Sequence, residues 1–230
     1  MITKPLVALI TGASGAIGCA IAEQFEAAGM LVIRHFHSNP PDKGVSLRAD
    51  LRREPDIEAL FLKTEERFSG VDVLVNNAGI ALPQQLITDT TTEAFDELFA
   101  IDVRGMFLCC RRALPHMIRQ KHGRIVNISS VWGTRGASCE VAYSAAKAAV
   151  VGLTQALAQE VAPSGITVNC VAPGVIDTPM NAHLDMAQLA RETPVGRVGT
   201  PKDIARAALF FAEQNAGFVT GQVLGVDGGF

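Results

Sequence analysis

The stretch VAYSAAKAAV places a tyrosine and a lysine four residues apart. Tyr143 is the only tyrosine of the chain, and Lys147 is one of six lysines. On a helix, residues four apart lie on one face. A free phenol has a pKa near 10 and exchanges protons poorly at neutral pH, but a nearby ammonium group favours the phenolate and lowers that pKa. The spacing therefore predicts a proton relay, although by itself it also fits a solvated helix face.

A scaffold for this pair is visible in the hydrophobic pattern, in which short apolar runs alternate with amphipathic stretches. The predicted strands are 6–10, 31–36, 45–50, 71–79, 123–130, 166–174 and 221–229. The predicted helices are 16–29, 54–69, 92–121, 141–162 and 201–213. Strands that are apolar throughout and separated by helices indicate a parallel sheet covered on both faces. We therefore predict one α/β domain, residues 1–230, with a doubly wound parallel sheet in three α/β/α layers and ligands beyond the carboxyl ends of the strands.

Composition excludes several classes of protein. Of 230 residues, 48% are hydrophobic and 19% are charged, and the net charge is −3 with no basic cluster, so we expect neither nucleic-acid nor membrane partners. Five cysteines without a C-x-x-C pair or zinc spacing predict a reduced, cytoplasmic protein without a metal. The uncharged run after Lys4 resembles a signal peptide, but glycines interrupt it after LVALI, and no 18-residue apolar span is evident.

The stretch LVALITGASGAIG runs from a strand through a turn into a helix. Glycines let the backbone approach a pyrophosphate, and the helix start offers free N–H groups, although a tight turn that merely packs is the alternative. Together with NNAG (76–79) and the Pro-Gly that precedes Thr178, this turn resembles the short-chain dehydrogenase/reductase family over nearly the whole chain. The family pattern T-G-x3-G-x-G matches at Thr11, Gly12 and Gly18, with Ala16 replacing the middle glycine.

This resemblance implies a Rossmann-type fold that binds a nicotinamide dinucleotide. The residues that it places at the cofactor are Gly12, Ser14, Gly15, Ile17, Gly18, Asp50, Leu51, Asn77, Ala78, Gly79, Tyr143, Lys147, Pro173, Gly174, Ile176 and Thr178.

The end of the second predicted strand bears on the choice of dinucleotide. An acidic residue there would bind the ribose 2′-hydroxyl and select NAD. The resemblance points to Phe36, which is not acidic, and His37, Ser38 and Asn39 follow as donors suited to a 2′-phosphate. His35 and His37 point to one face of the strand, which fits a phosphate better than a metal pair. We therefore predict NADPH rather than NADH.

Nearby residues bear on the same choice. Arg34 and Arg48 lie near this corner in sequence and favour a phosphate. Gly15 argues the other way, because relatives that use NADPH often carry arginine or lysine there.

The resemblance also implies the reaction. Hydride passes between the nicotinamide and a carbonyl carbon while Tyr143 gives a proton to the developing alkoxide. Ser130, thirteen residues before the tyrosine, hydrogen-bonds the substrate oxygen, with Ser129 as the neighbouring alternative. Lys147 lowers the tyrosine pKa and holds the nicotinamide ribose.

One site residue departs from the family pattern. Many relatives carry V-N-x-x-G-x-F in the middle helix, whereas this chain has IDVRGMF with Asp102 in place of the asparagine. Asp102 serves equally well if the position acts through its backbone carbonyl. If its carboxylate pairs with Lys147, it weakens the effect of the lysine on Tyr143.

The stretch from Gly123 to Met180 looks most like the 3-oxoacyl-[acyl-carrier-protein] reductase branch. The expected reaction is reduction of a 3-oxoacyl thioester on acyl carrier protein to the 3-hydroxyacyl thioester, in fatty-acid or polyketide-like biosynthesis. Trp132 and the stretch ASCE (137–140) before Tyr143 are expected to line the substrate pocket, with core packing as the alternative for Trp132. Residues 178–200 are expected to form a lid, with an ordinary surface loop as the alternative. Lys121 and Arg124 could receive an acidic carrier protein, with an ordinary solvated basic turn as the alternative.

The helix predicted over 141–162 is rich in alanine on several faces, which indicates burial. By resemblance, it packs against its copy in a homotetramer, and a monomer that covers this helix with its own chain is the alternative. Other interpretations stay open: reduction of another ketone or oxidation of another alcohol, a dinucleotide-binding subunit without turnover, and a reductase that needs a paralogous partner subunit.

Overall fold

The computed structural model describes residues 5–230, which are built around one parallel sheet. Its strands are β1 Val7–Ile10, β2 Leu31–Phe36, β3 Val45–Arg48, β4 Val73–Asn76, β5 Gly123–Ile128, β6 Ile166–Pro173 and β7 Val223–Val226. They lie in the order β3-β2-β1-β4-β5-β6-β7, and every neighbouring pair is parallel. All seven predicted strands are confirmed, although those predicted over 71–79 and 221–229 are shorter than expected.

Helices cover both faces of the sheet. They are α1 Ala16–Ala27, α2 Glu54–Phe68, α3 Thr92–Phe99, α4 Met106–Gln120, α5 Trp132–Arg135, α6 Val141–Val161, α7 Met186–Glu192 and α8 Pro201–Ala212. Side chains alternate along a strand, so Val7 and Leu9 pack with α2, α4 and α6, whereas Ala8 and Ile10 pack with α1 and α8. The predicted three-layer, Rossmann-type α/β/α fold is confirmed.

The helix predicted over 92–121 is not continuous. A π-helical segment, Ala100–Gly105, separates α3 from α4 and contains the fully buried Asp102. Such wider turns occur frequently at functional sites because they displace one residue from the regular helical position. The prediction of one unbroken helix is therefore wrong, because hydrophobic periodicity does not register a single wide turn.

Two connections shape the ends of the cleft. Residues 37–44, between β2 and β3, contain no helix, as their short length indicated. Residues 178–200 contain a short 3-10 turn, Pro179–Asn181, followed by α7. Their role as a moving lid stays a prediction.

One segment of the described chain, Val141–Ser164, is long and apolar enough to cross a membrane by length and mean hydropathy, although the sequence analysis found no such span. In this fold one face of α6 packs against β6 and α5, and 28% of the apolar window is buried. Lys4, which flanks the signal-like run, lies outside the described residues.

Candidate active site

A cleft of about 760 Å³ opens at the carboxyl ends of the strands, where the chain order reverses between β1 and β4. This is the place where doubly wound sheets bind ligands. Every residue predicted to contact cofactor or substrate lines this cleft, and the one other predicted site residue, Asp102, lies buried behind it.

The glycine-rich turn is held in place by the loop after β4. The Thr11 hydroxyl accepts hydrogen bonds from the backbone N–H groups of Asn77 and Ala78, at 2.9 and 3.0 Å. The Asn77 side chain donates to the carbonyls of Thr11 and Gly12. Gly12 has a φ of +64°, and a Cβ there would lie 2.8 Å from the Ala78 Cα. The two loops therefore form one rigid floor, which requires glycine at position 12.

The start of α1 fits a pyrophosphate. Gly15 is its N-cap residue, and no side chain caps the helix. Ala16, Ile17 and Gly18 follow and line the cleft, so the first N–H groups of the helix and its positive dipole end face it. A Cβ on Gly18 would lie 2.4 Å from the Gly12 carbonyl oxygen, which explains the glycine there. Ala16 occupies the place of the middle family glycine without breaking this turn.

His35 is a structural residue of this floor. Its Nδ1 accepts a hydrogen bond from the Gly12 N–H at 3.1 Å, so its Nε2 donates to the Ala49 carbonyl, also at 3.1 Å. Burial lowers the pKa of His35 to about 4 and keeps the ring neutral. Its predicted role of facing a phosphate together with His37 is therefore wrong. Within residues 5–230, no group of His, Cys, Asp and Glu side chains could hold a metal ion.

The adenosine end of the cleft is a small charged cluster. His37, half exposed, contacts the Ser38 hydroxyl at 3.0 Å, and its Nε2 lies 3.9 Å from an Asp50 carboxylate oxygen. Arg52 donates to both Asp50 and Glu97, and this contact lowers the pKa of Asp50 to about 2. Sequence reasoning identified His37, Ser38 and Asp50 but missed Arg52 and Glu97, although Arg52 stands only two residues after Asp50.

The two arginines that the sequence placed near this corner do not face the cleft. Arg34 is 1% exposed and pairs with Glu26 of α1 at 2.9 Å, because its side chain points to the α1 face of the sheet. Arg48 donates its Nε–H to the His37 carbonyl and so supports the corner from outside the cleft lining. Arg34 is close in sequence to the adenosine corner, but successive residues of a strand point to opposite faces of the sheet, so its side chain lies away from the cleft.

The structure separates the roles of the two serines after β5. The Ser129 hydroxyl donates to the Lys147 carbonyl at 2.8 Å and ties β5 to α6. The Ser130 hydroxyl oxygen accepts the Trp132 N–H at 3.2 Å, which leaves its own proton free for a ligand in the cleft. Ser130 is therefore the better hydrogen-bond donor to a substrate oxygen.

Tyr143 and Lys147 share one face of α6, and Asp102 meets the lysine from behind. Lys147 Nζ lies 5.5 Å from the centroid of the Tyr143 ring and 2.9 Å from Asp102 Oδ2. Asp102 Oδ1 accepts the Ile80 N–H at 2.9 Å. Burial would lower the pKa of Lys147, but the Asp102 carboxylate outweighs it, so the pKa is raised and the lysine stays charged. The ion pair between Asp102 and Lys147, one of the two possibilities for Asp102 given by the sequence, is therefore present.

The substrate end of the cleft contains Glu140, the last residue of the ASCE stretch expected there, and Gln84, which sequence reasoning did not single out. Gln84 and Glu140 line it and hydrogen-bond each other at 2.9 Å. Trp132 also lines it, and its ring meets Phe230 edge to face at 5.6 Å, so it serves both the pocket and local packing. Other lining residues are Ala81, Leu82, Met180, His183 and Leu184. Met180, His183 and Leu184 belong to the segment predicted as a lid, whereas no local pattern pointed to Gln84.

The basic turn considered as a carrier contact is only partly accessible. Arg124 is buried, and its guanidinium donates to the carbonyls of Gly123, Glu213 and Gln214. Lys121 is exposed at the C-cap of α4. Arg124 is therefore a packing residue rather than part of a docking surface.

Comparisons with known proteins agree with this geometry. Residues 12–230 match a family model described as enoyl-(acyl carrier protein) reductase. The chain is 39% identical to 2-(R)-hydroxypropyl-CoM dehydrogenase of Xanthobacter autotrophicus, over 97% of this chain and 98% of the relative. It is 38% identical to a 3-oxoacyl-[acyl-carrier-protein] reductase of Vibrio cholerae, over 97% and 96% of the two chains.

Solved structures with the same fold carry nicotinamide dinucleotides. ElxO, solved with NADP bound, superposes with a TM-score of 0.91 at 32% identity and covers 98% of both chains. A 3-ketoacyl-(acyl-carrier-protein) reductase of Brucella melitensis, complexed with NADH, gives a TM-score of 0.93 at 32% identity and 97% coverage of both chains. These structures support a nicotinamide dinucleotide and leave the choice between its two forms to the residues of this chain.

Proposed function

Because the chain belongs to the short-chain dehydrogenase/reductase family, whose members oxidise alcohols or reduce carbonyls, we propose that it is an NADPH-dependent 3-oxoacyl-[acyl-carrier-protein] reductase. It would convert a 3-oxoacyl thioester into the 3-hydroxyacyl thioester in fatty-acid or polyketide-like biosynthesis. One observation carries this proposal. Ser130, with a free hydroxyl proton, faces the same cleft as Tyr143 and the buried Lys147 beside it.

The chemistry of the protein side follows from these contacts. When bound, the nicotinamide supplies the hydride for the carbonyl carbon. Ser130 donates a hydrogen bond to the carbonyl oxygen, and Tyr143 transfers its proton to that oxygen as negative charge develops there. The Lys147 cation stabilises the phenolate that remains. Leu82, Trp132 and Met180 give this end of the cleft an apolar lining for an acyl chain.

The NADPH preference rests on the adenosine end. Phe36 leaves no carboxylate at the end of β2, and His37 and Ser38 face the cleft as donors. We expect His37→Ala to weaken NADPH binding about tenfold and to leave NADH binding within twofold, because only NADPH carries the 2′-phosphate. Titration of the intrinsic nucleotide fluorescence with each form measures both dissociation constants, and an equal loss for both would contradict this role of His37.

The partners follow from the same assignment. The thioester substrate would arrive on acyl carrier protein. Outside its buried face, α6 exposes Ala145, Ala148, Gly152 and Ala156, which residues 5–230 of the same chain leave uncovered. Small residues allow two copies of a helix to approach closely, so this face supports the proposal of a homotetramer. Light scattering on the purified protein measures its mass.

The experiment that tests the function mixes the purified protein with an acetoacetyl thioester and follows nicotinamide absorbance with NADPH and with NADH. We expect rapid NADPH oxidation and much slower NADH oxidation. NADPH binding with turnover only of another ketone would favour the second candidate, a small-alcohol dehydrogenase like the Xanthobacter relative. NADPH binding without any turnover would favour a dinucleotide-binding subunit, or a reductase that needs a partner subunit.

A further inference from the structure

The substrate end of the cleft has an unusual charge distribution. Four segments form it: residues 80–84, 128–132, 140–143 and 178–184. Glu140 is the only acidic, lysine or arginine residue in these segments. Its carboxylate accepts a hydrogen bond from the Gln84 side-chain amide at 2.9 Å, which connects the loop after β4 to the start of α6. Apart from Lys147, which is paired with Asp102, the Glu140 carboxylate is therefore the one carboxylate, ammonium or guanidinium group at this end of the cleft.

This charge lies close to the reacting groups. Glu140 immediately precedes α6, Tyr143 follows three residues later, and both residues line the same end of the cleft. The nearby cations do not compensate for it. Lys147 is paired with Asp102, and Arg135 binds the Phe230 carbonyl and lies 3.7 Å from Asp227. His183, on the segment after Thr178, is the other ionisable side chain at this end besides Tyr143.

We propose that Glu140 makes the substrate end selective for ketones that carry no negative charge near the carbonyl, and that it excludes free 3-oxo acids. This inference rests on the proposed function and specifies its substrate class. A 3-oxo acid has its carboxylate two bonds from the ketone carbon, so binding would bring two carboxylates together in a partly desolvated pocket. A thioester has no charge at that position, and an amide N–H in its thiol arm could donate to Glu140.

The test compares two substrates that differ in this charge: the acetoacetyl thioester of N-acetylcysteamine, which is neutral, and acetoacetate. Glu140→Gln removes the charge and keeps nearly the same shape and the hydrogen bond from Gln84. We expect the variant to raise kcat/KM for acetoacetate about tenfold relative to kcat/KM for the thioester. The matched control is Glu160→Gln, which removes a charge from the exposed far end of the same helix and should change neither value.

Two results would overturn the inference. An unchanged ratio of the two kcat/KM values in Glu140→Gln would show that the charge does not select the substrate. A parallel loss with both substrates would assign Glu140 to the Gln84 bridge alone, and Gln84→Ala would then cause the same loss. Turnover of neither substrate by the wild-type protein would instead contradict the proposed function itself.

Discussion

Replacing Tyr143 with phenylalanine is expected to reduce kcat for the acetoacetyl thioester about a thousandfold. The substitution removes only the hydroxyl that gives the proton, and a positioned general acid contributes roughly 10²–10⁴-fold to a rate. Each factor of ten corresponds to about 1.4 kcal/mol of activation free energy, so the loss is about 4 kcal/mol. Steady-state NADPH oxidation at several substrate concentrations separates this fall in kcat from any change in KM.

Two measurements show whether the fall in kcat comes from lost proton transfer rather than from weaker NADPH binding or lower stability. The dissociation constant for NADPH should change only a few-fold, because the α1 N-terminus and the adenosine corner are untouched by the substitution. The melting temperature should stay within a few degrees, since the ring keeps its place beside Lys147. A variant that retains more than a tenth of wild-type kcat would contradict proton transfer by Tyr143, and Ser130 would then be the next candidate for the acid.

The parts of the molecule predictable from sequence are those determined by local patterns. Apolar runs located all seven strands, and the order of strands and helices gave the three layers. The i to i+4 spacing correctly placed Tyr143 and Lys147 on one face. The strand–turn–helix context of the first glycine-rich turn and the short connection without a helix between β2 and β3 were likewise predicted correctly, because each reflects a constraint within a few neighbouring residues.

The features that could not be predicted from the sequence depend on contacts between residues that are far apart in the chain. Arg34 and Arg124 looked available for a phosphate or a carrier, but one pairs with Glu26 and the other binds backbone carbonyls. Ser129 and Ser130 could be distinguished only once their hydrogen-bond partners were known. The bridge between Gln84 and Glu140 joins residues 56 positions apart, which no local pattern reports.

The ion pair of Asp102 and Lys147 is the feature of this site whose effect on chemistry is largest after Tyr143 itself. The raised pKa of Lys147 exceeds the ordinary lysine value of 10.5, so the stabilisation that depends on the lysine proton is complete below 10.5 and is lost in strongly alkaline solution. Because the Lys147 ammonium lies 2.9 Å from the Asp102 carboxylate, the electrostatic field at Tyr143 is that of a nearly neutral pair. The carboxylate therefore secures the lysine charge and at the same time weakens its effect on the phenol.

Asp102→Asn is expected to move the pH dependence of catalysis toward acid. With the carboxylate gone, the remaining lysine cation favours the phenolate more strongly, so oxidation of a 3-hydroxyacyl thioester should reach half its maximal rate about one pH unit lower. The variant should also lose roughly 3 kcal/mol of unfolding free energy, because one buried charge is left without its partner. Rates of NADP reduction between pH 6 and 10, together with urea denaturation, measure both effects.

The control for this variant is Glu93→Gln, which removes an exposed carboxylate from the first turn of α3 and should leave the pH dependence unchanged. A shift of the half-maximal rate toward alkaline pH in Asp102→Asn would mean that the buried lysine loses its proton without the carboxylate. Asp102 would then act chiefly by keeping Lys147 charged. An unchanged profile with lower stability would make the pair purely structural. The direction of the pH shift therefore shows which effect of Asp102 governs proton transfer at Tyr143. One effect keeps Lys147 charged, and the other weakens the influence of that charge on the phenol.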